Sequence, residues 1–209
     1  MAIPPHTGHG PDDPRVVLVR HGETDWSRTG RHTGLTDIPL TQAGEYKAEL
    51  VGQALAGIPF GLVLTSPLSR ARETARLAGF PAAATDENLA EWDYGGYEGI
   101  TSAEIREQRG GSWTIWADGV PPGDTPGETA ADVQRRARAV CDRIEPTLEG
   151  SERVLLFSHG HFLRALAAVW LGLDVPDGRL LALDTAAISV LGFEHGRRVI
   201  VSWNRVPGR

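Results

Sequence analysis

The chain has 209 residues, of which 41% are hydrophobic and 23% charged, and this suits a globular protein with a sizeable core. The formal net charge of −6 excludes the basic surface that general nucleic-acid binding requires. No segment is long and apolar enough to span a bilayer, so we expect no membrane partner either. The single cysteine, Cys141, cannot form an internal disulfide, which favours the reducing cytoplasm.

The first 14 residues are rich in Pro, Gly, His and Asp. This composition predicts a flexible N-terminal tail over residues 1–14. The segment lacks the basic and then apolar pattern of a signal peptide. Because no internal repeat or second core follows, we expect one domain over residues 15–209.

The first half of the chain alternates apolar runs with helical patterns. Val16 to Val19 is wholly apolar and β-branched or Leu, which is typical of a strand buried on both faces. The polar stretch 20–36 predicts a loop, and Thr41 to Ala56 predicts a helix capped by its threonine. Leu62 to Leu64 predicts a second buried strand.

The next helix has both a start and a stop signal in the sequence. Ser66 is expected to cap it, with Pro67 at its first position and Gly79 just beyond its end.

The second half continues the alternation. Thr101 and Glu104 form a capping box for a short helix, and the Pro/Gly-rich stretch 119–128 predicts a loop. The remaining predicted elements are a helix over 129–148, a strand over 154–157, a helix over 161–171, and strands over 187–193 and 199–203. Strands that alternate with helices predict an α/β fold, with a mostly parallel central sheet covered by helices on both faces.

Two predicted strands end in the same way, in Arg20-His21-Gly22 and in Ser158-His159-Gly160. Binding sites of such sheets form at the carboxyl ends of the strands, so the two imidazoles should lie close together. Arg70 lies in the first turn of the helix after the second strand, and a helix N-terminus itself attracts anions. A single histidine after a strand is more often structural, but this pair together with two arginines predicts a phosphate site.

Four segments together resemble the histidine phosphatase superfamily, which includes the cofactor-dependent phosphoglycerate mutases. They are residues 20–24 (RHGET), 65–75 (TSPLSRARETA), 89–99 (LAEWDYGGYEG) and 158–160 (SHG). The resemblance covers the chain from about Val16 to Trp203. It implies the three-layer sandwich of the mutases and a reaction at phosphate.

The resemblance also implies the roles of five residues. His21 would be the nucleophile that takes the phosphoryl group. Glu91 would protonate the leaving oxygen and then act as base for the attacking water. Arg20, Arg70 and His159 would hold the phosphate oxygens. No metal and no cofactor are needed, since fixed side-chain cations can stabilise phosphoryl transfer.

Further expectations concern the surroundings of these residues. Trp92 and Tyr94 flank Glu91 and are expected to give it the apolar surroundings that keep a carboxyl group protonated. Ser27 stands where many members carry Asn, and Thr33 where many carry Gln. The substrate contacts that the resemblance implies are Thr24, Ser27, Thr33, Gly34, Tyr94 and Gly160.

The stretch 26–37, the segment after Glu91, and residues 158–164 narrow the resemblance. They are similar to a subgroup with sedoheptulose-1,7-bisphosphatase and mycobacterial acid phosphatases. The expected activity is therefore a metal-independent phosphatase for small phosphomonoesters, sugar phosphates above all. A small phosphorylated molecule is the expected partner. A homodimer is common in such families, and the sequence leaves it open.

Two alternatives stay open at this point. In a phosphoglycerate mutase, an Arg-His pair stands where this chain has Trp92-Asp93, and this difference favours the phosphatase. A non-catalytic phospho-ligand binding module is the second alternative, but His21 and Glu91 are both present. A metal site is disfavoured, because no histidine spacing resembles a metal motif.

Several residues have two possible roles. His161 would either orient His159 or reach the ligand, and Arg164 is expected to be structural or exposed. Trp113 and Trp116 would lie in the core or line the pocket.

Overall fold

The computed structural model describes residues 15–208, so the tail predicted over 1–14 and residue 209 lie outside the described residues. Its strands are β1 (Val16–Arg20), β2 (Leu62–Thr65), β3 (Ala84–Thr85), β4 (Val154–Ser158), β5 (Ile188–Glu194) and β6 (Arg197–Arg205). They form one sheet in the order β3-β2-β4-β1-β5-β6. The first four strands in this order are parallel, whereas β5 and β6 each run antiparallel to their neighbours. The predicted α/β fold with a mostly parallel sheet is confirmed.

Helices cover both faces of this sheet. They are α1 (Asp25–Thr29), α2 (Gln42–Leu55), α3 (Ser69–Leu77), α4 (Ser102–Arg109), α5 (Ile115–Asp118), α6 (Ala130–Glu149) and α7 (Gly160–Trp170), with 3-10 turns at Glu87–Leu89, Gly95–Tyr97 and Val175–Leu180. Within residues 15–208, no helix has the length and apolar character needed to cross a bilayer.

The side chains of β1 alternate between two hydrophobic clusters, one on each face of the sheet. Val17 and Val19 pack into the cluster that contains buried residues of α2 and α3. Val16 and Leu18 belong to the larger cluster, to which α4, α5, α6 and α7 contribute. The strand is therefore buried on both faces, as its continuous apolar run predicts, and the three layers follow from this.

Two local predictions were wrong. The loop predicted over 20–36 contains the short helix α1, which begins after the cap Thr24. Helix α3 begins at Ser69 rather than at Pro67, and its N-cap Leu68 makes no side-chain cap bond. The hydroxyl of Ser66 is not a cap for this helix, because it lies 2.7 Å from Nε2 of His159. The same hydroxyl also accepts from the N–H of Leu68 at 3.3 Å, so it has a tertiary and a local partner at once.

The register between β1 and β4 places the two His-Gly turns side by side. Arg20 pairs with Ser158 as the last residue of each strand, so the histidines that follow are neighbours. The backbone N–H of His21 also donates to the carbonyl of Ser158 at 2.9 Å. The expectation that both imidazoles meet at one sheet edge is confirmed by this register.

A glycine pair fixes the chain immediately after His21. A Cβ atom at Gly22 would lie 2.5 Å from the carbonyl oxygen of Gly44 in helix α2, and one at Gly44 would lie 2.2 Å from the carbonyl oxygen of Glu23. Both distances are far shorter than real contacts allow. The glycine after His21 therefore serves close packing against α2.

We expect Gly44→Ala to lower the free energy of unfolding by about 1–3 kcal/mol, since the added methyl group must displace backbone in a packed contact. Urea unfolding measures this. Gly111→Ala is the matched control, because a Cβ atom at Gly111 meets nothing within 4 Å. Equal stability of the two variants would contradict the proposed close packing.

Candidate active site

His21 is buried, and its ring has one tautomer set by a backbone contact. Its Nδ1 lies 2.7 Å from the carbonyl oxygen of Gly22. A carbonyl only accepts, so Nδ1 carries the proton and Nε2 keeps its lone pair. Burial, reinforced by the positive charges of Arg70 and Arg20, holds the pKa of His21 well below its usual value of 6.5. The imidazole is therefore neutral, with a free nitrogen lone pair.

His159 lies beside His21, with 5.1 Å between the ring centroids. Its Nδ1 accepts from Nε of Arg70 at 3.1 Å, so the proton is on Nε2, which donates to Ser66 Oγ at 2.7 Å. Burial and the neighbouring charge of Arg70 hold the pKa of His159 well below its usual value. Both nitrogens are thus engaged within the protein.

Arg70 is completely buried behind the two histidines. Besides its bond to His159, it donates to the carbonyl oxygens of Thr33 at 3.0 Å, Gly34 at 2.8 Å and Thr36 at 2.9 Å. These four bonds use four of the five N–H groups of the guanidinium. Arg70 therefore connects the loop over 33–36 to His159.

Arg20 is the last residue of β1 and lies against the start of α7. Its Nη1 donates to the carbonyl oxygen of Leu183 at 2.5 Å. Its Nε is buried and has no hydrogen-bond partner among residues 15–208. A Cβ atom at Gly160 would come within 3.1 Å of the guanidinium carbon, so the glycine makes room for this side chain. A buried donor without a partner favours an anionic ligand at this place.

Glu91 is buried, and three backbone N–H groups donate to its carboxyl group. Oε1 accepts from Trp92 at 2.9 Å and from Phe162 at 2.8 Å, and Oε2 accepts from His161 at 3.0 Å. The last two N–H groups belong to the first turn of α7 and point to the carboxyl group. The apolar surroundings expected from Trp92 and Tyr94 are thus only part of the environment, and the larger part is backbone donors.

A pocket of about 170 Å³ opens over His21. Its lining contains seven of the residues that the sequence predicted for the site, namely Arg20, His21, Ser27, Thr33, Glu91, Tyr94 and Gly160. Arg70 and His159 lie behind this lining and contact His21 or its neighbours rather than the open space.

Thr24 and Gly34 lie outside the lining of the pocket. The hydroxyl of Thr24 accepts from the N–H of Ser27 at 3.1 Å as the cap of α1. The N–H of Gly34 donates to both carboxyl oxygens of Glu98, at 2.9 and 3.0 Å. Both residues shape the loops around the pocket, and their direct contact with substrate stays a prediction.

The lining also includes residues that sequence reasoning missed or left open, namely Gly30, Arg31, His32, His161, Arg164 and Leu183. Arg164, which was expected to be structural or exposed, is half-buried; it donates to Gly178 O at 3.1 Å while also reaching the pocket. Of the two readings of His161, reaching the ligand site agrees with the structure. Arg31 lies in the loop after α1, for whose packing a single sequence carries no signal, whereas Arg164 lies in α7.

Three rings, those of His32, Tyr94 and His161, form one side of the pocket, which we call the ring wall. The centroids of His32 and Tyr94 are 4.7 Å apart, and Tyr94 Oη lies 2.6 Å from Nδ1 of His161. Burial lowers the pKa of His32 to about 4 and that of His161 well below 6.5, and it raises that of Tyr94. All three rings are therefore uncharged at neutral pH.

Trp113 and Trp116 are buried behind the ring wall. Trp113 contacts His32 with ring centroids 5.3 Å apart, and Trp116 contacts His161 at 5.2 Å. Their core reading agrees with the structure, since neither lines the pocket.

Among residues 15–208, no group of three or more His, Cys, Asp or Glu side chains is arranged to hold a metal ion. The independence from metal that the sequence predicted is a matter for experiment.

The sequence profile of the histidine phosphatase superfamily (branch 1) matches residues 16–206. The chain belongs to this superfamily. The match agrees with a site in which a neutral His21 lies beside His159 and two buried arginines.

Named relatives of this histidine phosphatase include both phosphatases and mutases. An acid phosphatase of Mycobacterium tuberculosis is 44% identical, over 88% of this chain and 89% of its own length. A sedoheptulose 1,7-bisphosphatase of Saccharomyces cerevisiae is 35% identical, over 78% of this chain and 69% of its own length. A 2,3-bisphosphoglycerate-dependent phosphoglycerate mutase of Gloeobacter violaceus is 36% identical, over 72% and 73%.

Among solved structures, the product of an open reading frame of Mycobacterium tuberculosis is similar to this histidine phosphatase, with a TM-score of 0.86 and 41% identity. The match covers 93% of this chain and 98% of the other.

The low pKa of His32 predicts a pH-dependent stability. Between pH 6.5 and about 4, the unfolded chain holds a proton on this imidazole that the folded protein does not. The free energy of unfolding should therefore fall as the pH falls through this window, by up to about 1.4 kcal/mol per pH unit from this group.

Urea unfolding of His32→Gln at several pH values should show a shallower decline. The control Ser102→Ala removes the 3.1 Å contact of His32 Nε2 but keeps the imidazole, so it should keep the steep decline. Parallel curves for wild type and His32→Gln would contradict the assignment.

Proposed function

We propose that this histidine phosphatase hydrolyses small phosphomonoesters in two steps, without a metal or cofactor, through a phosphohistidine on His21. The observation that carries the proposal is the tautomer of His21. Its Nδ1–H is fixed on the carbonyl of Gly22, so Nε2 is left as a neutral nucleophile at the pocket.

In the first step, Nε2 of His21 forms a bond to phosphorus while the bond from phosphorus to the leaving oxygen breaks. The leaving oxygen takes a proton from Glu91. A protonated carboxyl group keeps two lone pairs on its carbonyl oxygen and one on its hydroxyl oxygen. Oε1 accepts two N–H bonds and Oε2 one, so Oε2 is the oxygen suited to carry the proton.

In the second step, water attacks phosphorus and Glu91 accepts the proton of the water. The bond from phosphorus to Nε2 breaks, which releases inorganic phosphate and restores the neutral imidazole of His21. Glu91 regains its proton in this step, so the cycle balances.

The charge of the phosphoryl group would be held by fixed side-chain cations. Arg20 is suited to this role, because its buried Nε lacks a partner within residues 15–208. Arg70 has one N–H left after its four bonds. His159 would assist Arg70 in this role, because its Nδ1 accepts a hydrogen bond from Nε of Arg70.

The two residues after Glu91 favour a phosphatase over a mutase. The Trp92 side chain is buried, and its indole N–H donates to the carbonyl of Glu128 at 2.9 Å. The Asp93 carboxyl group accepts from Gly95, Thr125 and Gly127. Neither residue brings a cation to the pocket for a substrate carboxylate. A non-catalytic phospho-ligand module is disfavoured, because the nucleophile and the acid are both in place.

The pocket supports sugar phosphates as the substrate class. The ring wall offers flat, uncharged faces on which a sugar ring can pack, and polar ring atoms for its hydroxyl groups. Arg31 and Arg164 add positive charge to the lining. We also propose a single domain over residues 15–209 and a cytoplasmic location, which the lone buried Cys141 supports.

Replacing the nucleophile should abolish turnover. We expect His21→Ala to lose at least about a thousandfold in phosphate release, or roughly 4 kcal/mol of barrier, because no other group can form the intermediate. The assay is phosphate release from a panel of sugar phosphates, phosphoglycerates and nucleotides, run in EDTA. A folded His21→Ala protein with near-normal activity would contradict the mechanism.

Loss of wild-type activity in EDTA, restored by metal, would contradict the metal-independent site.

Replacing the acid should affect substrates unequally. A sugar alkoxide needs a proton to leave, whereas a nitrophenolate does not, and loss of a general acid typically costs about a hundredfold to ten-thousandfold. We expect Glu91→Gln to slow the first step far more for an alkyl phosphate than for an aryl phosphate in single-turnover kinetics. The matched control is Glu87→Gln, in the exposed turn four residues earlier. Equal losses on both substrates would show that Glu91 is not the acid.

A further inference from the structure

The segment that carries Glu91 has no regular secondary structure. Residues 90–94 lie between the 3-10 turns at Glu87–Leu89 and Gly95–Tyr97, outside every strand and helix. Their carbonyl groups therefore have no ladder of backbone donors. Buried carbonyl groups must nevertheless be hydrogen-bonded. The carbonyls of Asp93 and Tyr94 accept from the backbone N–H groups of Glu128 and Tyr97, at 3.0 and 2.9 Å. Those of Ala90 and Glu91 accept from a side chain.

That side chain belongs to an arginine of helix α6. Arg136 Nη1 donates to the carbonyl oxygens of Asn88 at 2.8 Å and Ala90 at 2.9 Å, and Nη2 donates to that of Glu91 at 3.3 Å. Its Nε and Nη2 also donate to the two carboxyl oxygens of Glu128, both at 2.7 Å. The five N–H groups of the guanidinium thus have five acceptors. Three of these are the backbone carbonyls of Asn88, Ala90 and Glu91.

Glu128 completes the arrangement on the other side of the acid. Its Oε2 accepts from the N–H of Asp93 at 3.0 Å, and its carbonyl accepts from the indole N–H of Trp92 at 2.9 Å. The pair therefore makes hydrogen bonds to the chain both before and after Glu91. The guanidinium and carboxylate side chains are only 16% and 19% exposed, so water competes little for these bonds.

Arg136 also contacts the helix that receives the carboxyl group. Its guanidinium carbon lies 4.7 Å from the centroid of the Phe162 ring. The N–H of the same Phe162 donates to Oε1 of Glu91. Arg136 thus touches both parts whose relative position decides where the carboxyl group lies, the acid segment and the first turn of α7.

We propose that the Arg136–Glu128 pair is a positioning device for Glu91, which sets the acid against the leaving oxygen without touching substrate. This inference rests on the proposed role of Glu91. The fork of an arginine is required, because a lysine has three donors at one point and cannot serve three carbonyls and a bidentate carboxylate together. Loss of the pair lets residues 88–93 move, and the carboxyl group moves with them.

The kinetic consequence is specific. A displaced acid impairs the substrate that needs a proton and spares the one that does not, whereas general destabilisation impairs both equally. Misplacement of a catalytic group by about 1 Å can cost a hundredfold. We expect Arg136→Gln to lower the single-turnover rate of the first step for glycerol phosphate at least about tenfold more than for p-nitrophenyl phosphate.

Two further variants sharpen the test. Glu128→Gln combined with Arg136→Gln leaves no unpaired buried charge, so it keeps the fold where the single variant is weakened. It should show the same substrate discrimination. Arg143→Gln is the matched control, since Arg143 lies on the same helix and pairs at 2.7 Å with Asp86, five residues before Glu91. It should leave the ratio of the two activities within about twofold of wild type, because its half-exposed guanidinium bonds the side chain of Asp86 rather than the backbone of the acid segment.

A double-mutant cycle decides whether Arg136 acts through Glu91. In a Glu91→Gln background, adding Arg136→Gln should cost less than about twofold on glycerol phosphate, because the group that it positions is already lost. Full additivity, or an equal loss on both substrates by each folded pair variant, would overturn the proposal while Glu91 keeps its role. If Glu91→Gln itself fails to discriminate between the substrates, the proposed acid and this inference are both overturned.

Discussion

The hydrogen bond between Nδ1 of His21 and the carbonyl of Gly22 is the interaction on which the site depends. It fixes the tautomer, so that the lone pair of Nε2 is available at the pocket, and it fixes the plane of the ring. The carbonyl itself is held in place because Gly22 packs against Gly44 with no room for a side chain on either residue. The nucleophile is therefore oriented by the packing of helix α2 on the sheet edge.

The second constraint is the burial of positive charge. Arg70 is completely buried and Arg20 is half-buried, and this burial lowers the pKa of both guanidinium groups from its ordinary value. Backbone carbonyls accept from Arg70, and the carboxyl group of Glu91 lies near both arginines. Burial, together with the positive charges of Arg70 and Arg20, holds the pKa of both histidines well below its usual value, so both are uncharged. The same two positive charges favour a phosphate dianion. The same field thus prepares the nucleophile and attracts the substrate.

The sequence predicted those parts of the site that follow from strand ends. The apolar runs before His21 and His159 fix the register of β1 and β4, so their adjacency could be inferred from pattern alone. Glu91 was found only through the family motif, because a glutamate in an irregular segment has no local signature. Arg136 could not be predicted, since it lies 45 residues later on a helix rich in exposed arginines and reads as a solvated charge. The wrong start of α3 has the same origin, since a tertiary partner, His159, engages the hydroxyl of Ser66.

The central claim is a covalent intermediate on one atom of one residue. Rapid mixing with a radiolabelled phosphomonoester, followed by quenching in base and peptide mapping, tests it most directly, because phosphohistidine withstands base and phosphoserine does not. The account predicts label on the peptide that contains His21, with nitrogen NMR placing the phosphorus on Nε2, and no label in His21→Ala. Label on another residue, attachment at Nδ1, or full turnover without a labelled enzyme would contradict it.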